Sequence, residues 1–327
     1  MKRRDFILAT VGGTILLSKA QAQQTPPVVG VLANGSQQAV RSNPTMLSVK
    51  ARLAEMGYVE GRNLTLEYRA ADDQLDRLPS LAADLVQRRV AVIAAFSGPA
   101  ISAAKAATTS IPIVFFTGFD PVTSGFVKSL NRPGGNVTGV SILAAELNLK
   151  RLELLHELVP TAKTIAFLHT QTTIKSEDPF QKDMQQAAKT IGVNWLTLDV
   201  TSATDLDQAF ARAESDGVGA VIVNSDAVFL NNRQKVISLA ASHRLPAMYF
   251  VREYAAEGGL ISYGPNYNDT FRQVGEIIGR VLQGEKPEDL PVRQVTKIDL
   301  AINAKTANSL ALTLPATLLA RADEVIE

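Results

Sequence analysis

The sequence predicts an α/β protein built as two doubly wound lobes, and three observations predict it. Strand-like and helix-like segments alternate along almost the whole chain, several strand segments are continuous apolar runs, and the pattern is run through twice in 327 residues. Strands alternating with helices of about 10–15 residues imply parallel sheets with right-handed crossovers. A continuous apolar run marks a strand covered on both faces. The length exceeds the roughly 250–300 residues at which a single core stops growing, so two cores are expected.

The elements follow in order. Val28 to Leu32 is a short apolar strand ending in the turn cluster Asn34-Gly35-Ser36. Met46, Val49, Leu53 and Met56 carry helical spacing that Gly57 stops, and Leu64 to Tyr68 alternates as a strand. An amphipathic helix spans Leu75 to Arg88, and Val90 to Ala95 is a buried strand. Pro99 opens a small-residue helix to Ala107, at a first-turn position where a missing N–H costs nothing. Ile111 to Phe116 is another buried strand, with one or both of Phe115 and Phe116 in the core. Arg132-Pro133-Gly134-Gly135 turns into a short strand that ends at Val140.

The second set begins with a helix from Ala144 to Val159 that has leucines at 147, 149, 152, 155 and 158. Strands at Thr164 to Leu168, Trp195 to Val200, Ala220 to Val223 and Ala247 to Val251 alternate with helices at Phe180 to Ile191, Ala203 to Glu214 and Asn232 to His243. Trp195 is expected in the core. The tail supplies a strand at Leu260 to Gly264, a helix at Asn268 to Leu282 closed by Gly284, a strand at Lys297 to Asn303 and a final helical portion ending at Glu327. So few elements cannot form a core of their own. They must complete the two lobes, which makes the chain cross between lobes several times and forms a hinge.

The first 22 residues differ from the rest. Lys2, Arg3 and Arg4 precede a mostly apolar stretch from Phe6 to Leu17, and Ala20-Gln21-Ala22 offers the small-x-small site of signal-peptidase cleavage. The stretch is short of the ~20 residues that cross a bilayer. Arg3-Arg4-Asp5-Phe6-Ile7 is similar to a twin-arginine signal, so the Sec and twin-arginine routes both stay open. Cleavage after Ala22 removes four positive charges and one negative, turning the formal net charge from +1 to −2. That balance argues against a nucleic-acid partner, which needs a basic surface. The chain has no cysteine, which excludes a disulfide framework, a thiolate nucleophile and a lipid-carrying N-terminal Cys. A periplasmic protein free of the membrane, not a lipoprotein and with no direct membrane insertion of the mature chain, is expected.

Motifs for chemistry are missing. There is no G-x-S-x-G elbow, P-loop or H-E-x-x-H pair, and Gly217-Val218-Gly219 lacks the third glycine of a dinucleotide fingerprint. His156, His169 and His243 have no metal-ligand neighbour at useful spacing. No enzyme activity, cofactor or metal is expected. The loops at strand carboxyl ends remain, where open α/β sheets bind ligands. They place Asn34, then Ser97, Gly98 and Ala100 at a helix N-terminus suited to an anion, then Thr117 and Asp120. In the second half the matching positions are His169, Asn224, Asp226 and Tyr249. Two of these have plain structural alternatives: Ser97 as a helix cap and Asp120 before Pro121 as a turn former.

Several blocks together resemble one family. They include Ala103-Ala104-Lys105-Ala106-Ala107-Thr108, Ile111-Pro112-Ile113-Val114-Phe115, the run Asn131 to Val140, Lys150-Arg151-Leu152-Glu153-Leu154-Leu155, and Gly258-Gly259-Leu260-Ile261-Ser262-Tyr263-Gly264. Their order and spacing resemble the ABC-transporter substrate-binding proteins related to the tryptophan-binding TrpX type. The resemblance implies a type I periplasmic-binding-protein fold, two Rossmann-like lobes joined by a three-crossing hinge. It places the first lobe at 27–142 plus 264–295 and the second at 143–263 plus 296–327. It further implies an ABC permease and ATPase as partners and a small polar ligand between the lobes. An aromatic amino acid is favoured, with its carboxylate at the Ser97 loop and its ammonium near Asp226. Where relatives carry an Asn-Pro pair this chain has His169-Thr170-Gln171, a departure that bears on ligand identity. A periplasmic sensor that presents ligand to a receptor is the competing expectation, and a gene neighbourhood without a permease would favour it.

Overall fold

The computed structural model describes residues 25–170 and 179–327, so the expected signal segment and Gln171 lie outside the described residues. Among the described residues thirteen strands fall into two sheets. The first holds β1 (Val28–Ala33), β2 (Thr65–Ala70), β3 (Val92–Phe96), β4 (Ile113–Thr117), β5 (Val137–Ser141) and β11 (Arg293–Gln294), in the spatial order β11-β5-β4-β3-β1-β2. All its pairings are parallel. The second holds β6 (Thr164–Thr170), β7 (Asn194–Val200), β8 (Ala220–Val223), β9 (Ala247–Tyr249), β10 (Ile261–Pro265), β12 (Ile298–Asn303) and β13 (Glu324–Ile326), ordered β13-β12-β10-β9-β8-β6-β7. Only β10 and β12 run antiparallel there.

The expected apolar runs are the central strands. Val92, Ile93, Ala94 and Ala95 of β3 and Ile113, Val114 and Phe115 of β4 are 0–1% exposed, because helices cover both faces of the sheet. Phe115 belongs to the core beneath the helix Gly98–Ala107, whereas its neighbour Phe116 points to the opposite face. Trp195 packs on the second sheet's outer core against Phe167.

The chain leaves the first sheet after β5 and enters the second through the helix Ala144–Leu158. It returns after β10 through the helix Tyr267–Leu282, adds β11 to the first sheet, and crosses again to β12. The returning helix lies against Pro44–Glu55, where a Cβ on Gly275 would come within 2.7 Å of the Val49 carbonyl oxygen and one on Gly279 within 2.5 Å of Met56 Sδ. Arg52 and Arg293 flank Glu276 at this contact and hold its carboxyl below the usual range, Arg293 contributing most.

The end of the chain differs from the expected final helix. Helices Ala304–Ser309 and Ala316–Leu319 are followed by β13, parallel to β12 in the register Ala301↔Glu324 to Asn303↔Ile326. A three-residue edge strand is too short for alternation to reveal. Among the described residues no helix is long and apolar enough to cross a membrane.

Candidate functional site

The carboxyl ends of the parallel strands in both sheets meet at one cavity of about 540 Å³. Residues following β1, β3 and β4 line it from the first sheet, and residues following β8 and β9 line it from the second. Its volume lies within the roughly 300–1,000 Å³ of small-molecule sites.

Its floor is aromatic. Phe116 meets Phe271 at 4.6 Å between ring centroids and Tyr267 edge-on at 6.0 Å, and Phe96 meets Phe271 edge-on at 5.7 Å. Tyr267 also meets Phe250 at 6.0 Å, so the chain of rings passes from β4 through the returning helix to the loop after β9. This joins the inner apolar faces of the two sheets into one continuous cluster, while their outer faces have separate cores. The hydroxyl groups of Ser225 and Tyr267 hydrogen-bond across the same junction.

At the first sheet, Asn34, Ser97, Gly98, Thr117 and Asp120 all line the cavity. Ser97 has φ 155° and ψ 158°, a conformation that side chains rarely adopt. Its hydroxyl donates to Asn34 Oδ1 at 2.7 Å and accepts from the Ala100 N–H at 3.2 Å. The helix cap therefore exists, and the one hydroxyl proton is committed. Ala100 is a correction to the sequence reading: it is fully buried, its N–H is bound to Ser97, and it does not line the cavity. Ile101 N–H is bound to the Ser97 carbonyl, and Pro99 has no N–H. Of the orphan donors in this first turn, only the Gly98 N–H remains for a ligand. Thr117 Oγ1 accepts from the Phe119 N–H at 3.1 Å, and Asp120 Oδ1 accepts from the Val122 N–H at 2.8 Å, the turn-forming role foreseen for it.

At the second sheet, Asn224 and Asp226 line the cavity and His169 and Tyr249 do not. Strand alternation corrects His169, whereas Tyr249 is on the inner side of its sheet but packed within the cluster there. His169 shares a face with Phe167, stacks on it at 5.7 Å on the outer side of the sheet, and sets Nε2 2.6 Å from Asp199 Oδ1 on β7. Thr170 takes the other face, and its hydroxyl donates to Asp226 Oδ2 at 2.7 Å. Tyr249 stacks on Tyr254 at 4.4 Å and 10°, 1% exposed, and burial pushes its phenol pKa up. The next residue, Phe250, is the one that faces the cavity. Asp226 also caps the helix Ala227–Asn231, accepting from the Val228 N–H at 2.8 Å.

Sequence reasoning missed the ring floor and Asn148. Asn148 sits on the helix Ala144–Leu158, away from any strand end, 2% exposed, and donates to Asn224 Oδ1 at 3.3 Å. Helical spacing from the expected leucine stripe would have put it on the buried side. The lining is acidic: Asp120, Glu146, Asp183 and Asp226 contribute, and among the described lining residues there is no lysine, arginine or histidine. Such a site holds a flat apolar group on the rings and a cationic group among the carboxylates, and it repels a ligand of net negative charge.

A family model described as ABC transporter substrate binding protein matches residues 42–326. The chain is 28% identical over 260 residues to a tyrosine-binding protein of Clostridioides difficile (strain R20291), covering 79% of this chain and 74% of that protein. Among solved structures it is similar to the ABC domain from Streptococcus pneumonia in complex with L-Trp. The TM-score is 0.77 and the identity 26%, over 92% of this chain and 99% of that one. It is similar as well to a conserved domain protein from Vibrio cholerae, with TM-score 0.79 and 25% identity over the same shares.

Proposed function

The chain belongs to the ABC transporter substrate-binding protein family, and from that premise we propose that its ligand is an aromatic α-amino acid held in the cavity between the sheets. One observation carries this choice: the cavity combines an aromatic floor, an acidic and amide-bearing wall, and no basic side chain among its described lining residues. The side chain would lie on Phe116 and Phe271 and the ammonium beside Asp226. The tyrosine-binding relative and the L-Trp complex support the same choice. Asn34, Gly98, Thr117 and Asn224 are the further ligand contacts we propose, with Ser97 acting through Asn34.

The lobes divide at 27–142 plus 264–295 and 143–263 plus 296–327, and the three strands of chain between them serve as a hinge. Closing about that hinge excludes water and strengthens each polar contact. The protein is exported by its first 22 residues to the periplasm, where an ABC permease and ATPase take over the cargo.

Isothermal titration calorimetry against amino acids, sugars and dicarboxylates tests the reading. Aromatic L-amino acids are expected to bind and dicarboxylates to give no heat. A folded protein that binds a dicarboxylate, or no amino acid at all, removes the proposal. Within the site, Ser97→Ala should weaken binding by about 1 kcal/mol, roughly fivefold, because it releases Asn34 and uncaps a helix. Combined with Asn34→Ala, the loss should be no greater than that of Asn34→Ala alone; full additivity would show that Ser97 acts independently.

A further inference from the structure

Arg151, on the helix that makes the first crossing, is fully buried at 1% exposure. Among the described residues no carboxylate pairs with it. Its Nε donates to the Tyr263 carbonyl at 2.7 Å and its Nη1 to Asn148 Oδ1 at 2.7 Å. Burial lowers its pKa to about 10, so the guanidinium is still charged at neutral pH. A buried cation with no counter-ion costs several kcal/mol, and such a cost is usually met by a partner of opposite charge.

The amides between Arg151 and the cavity can be assigned by counting donors. Because Asn148 Oδ1 accepts from Arg151, Asn148 Nδ2 is left to donate, and it does so to Asn224 Oδ1 at 3.3 Å. That contact fixes the second amide, whose Nδ2 must then point away. Asn224 is 97% buried and lines the cavity, and its Nδ2 has no hydrogen-bond partner among the described residues. An oriented amide donor at a cavity wall is available to an acceptor on a ligand.

We propose that Arg151 is a positioning residue for the ligand's carboxylate: through Asn148 it aims the Asn224 amide N–H into the cavity, and it stands as a positive charge behind a wall whose described lining residues carry none. The assignment rests on the amino-acid reading above and gives the ligand's anionic end a seat on the second lobe. At the first lobe the Ser97 hydroxyl proton is already used, and the donors left are the neutral Gly98 N–H, Asn34 amide and Thr117 hydroxyl, with no basic side chain among the described lining residues. With the carboxylate at Asn224, the α-ammonium is placed next to Asp226, two residues further along the same loop. A zwitterion then meets opposite charges at both ends, while a dicarboxylate or a diamine meets one wrong partner.

The test compares L-tyrosine with L-tyrosinamide, which keeps the ring and the ammonium and loses the anionic charge. The wild-type protein should prefer the acid. Asn224→Ala and Arg151→Gln should each reduce that preference about tenfold, the loss expected for one charge-assisted hydrogen bond. Arg151→Lys should keep most of it. An unchanged acid-to-amide ratio in Asn224→Ala overturns the assignment. So does an Arg151→Gln protein with a lower Tm and equally weakened binding of both compounds, since that marks a purely structural arginine. A wild-type protein that binds neither compound, nor any other amino acid in the calorimetric panel, overturns the amino-acid reading beneath it, and that result is seen before any variant is made.

Discussion

Phe116→Ala should weaken binding of an aromatic amino acid by about 2 kcal/mol, roughly thirtyfold in Kd, and it should do so far more than it weakens binding of a small aliphatic amino acid. The ring lies half-buried at the centre of the floor, in contact with both Phe271 and Tyr267, so its removal takes away the platform and leaves a gap beside it. Stacking on a lost ring accounts for about 0.5–1.5 kcal/mol, and lost apolar burial for the remainder. Thermal unfolding measured on the same variant separates the contributions, because a general loosening lowers Tm and affects all ligands alike. Phe116→Leu restores volume without the quadrupole and should recover packing while leaving the aromatic preference reduced. Equal losses for phenylalanine and alanine as ligands would show that the floor does not hold the ligand's side chain.

Gly264→Ala should cost about 3 kcal/mol of folding stability and abolish high-affinity binding. A Cβ at this position would stand 1.9 Å from the Phe250 carbonyl oxygen, 2.8 Å from its carbonyl carbon and 3.2 Å from Arg151 Nη2. Two of these are backbone atoms, which cannot rotate aside as a side chain can. The strand end must move, and it is the point where β10 leaves for the returning helix. The displacement therefore reaches Phe250, Arg151 and the crossing together. Gly57→Ala is the control: its φ is +92° and nothing lies within 4 Å of the added Cβ, so it should cost only about 1 kcal/mol, from the backbone alone. Urea unfolding of the two variants decides the matter, and comparable midpoints would remove the close approach as an explanation.

Much of this architecture was readable in the chain because its signals are local. Val92 to Ala95 and Ile113 to Phe115 are apolar without a break, and Pro99, Gly57 and Gly284 punctuate helices where such residues must. The short strands β11 and β13 were not readable, since two or three residues at a sheet edge carry no period. The site was legible as a set of loops and less so as a set of side chains. A strand fixes which residues share a face, but not which face turns toward the ligand. In β6 the choice between His169 and Thr170 is a choice of phase that only packing decides, and Tyr249 takes the inner face but is buried there in a stack with Tyr254. Asn148 and Arg151 lie further from any local rule. A polar residue in a leucine-rich helix looks like ordinary amphipathicity until the neighbouring element shows that it is buried. Tyr267 and Phe271 come from a segment more than a hundred residues beyond β4, and their meeting with Phe116 is a property of the crossings.

The bond between Ser97 and Asn34 bears on the speed of capture under the proposed function. A receptor whose polar groups must first exchange partners adds a barrier to each encounter, and its association rate falls below what diffusion and orientation permit. Here the hydroxyl, the amide and the first turn of the helix are held to one another, next to a backbone conformation that few residues tolerate. Under the proposed function the first lobe would act as a fixed template, and the slow coordinate of binding would be the swing of the second.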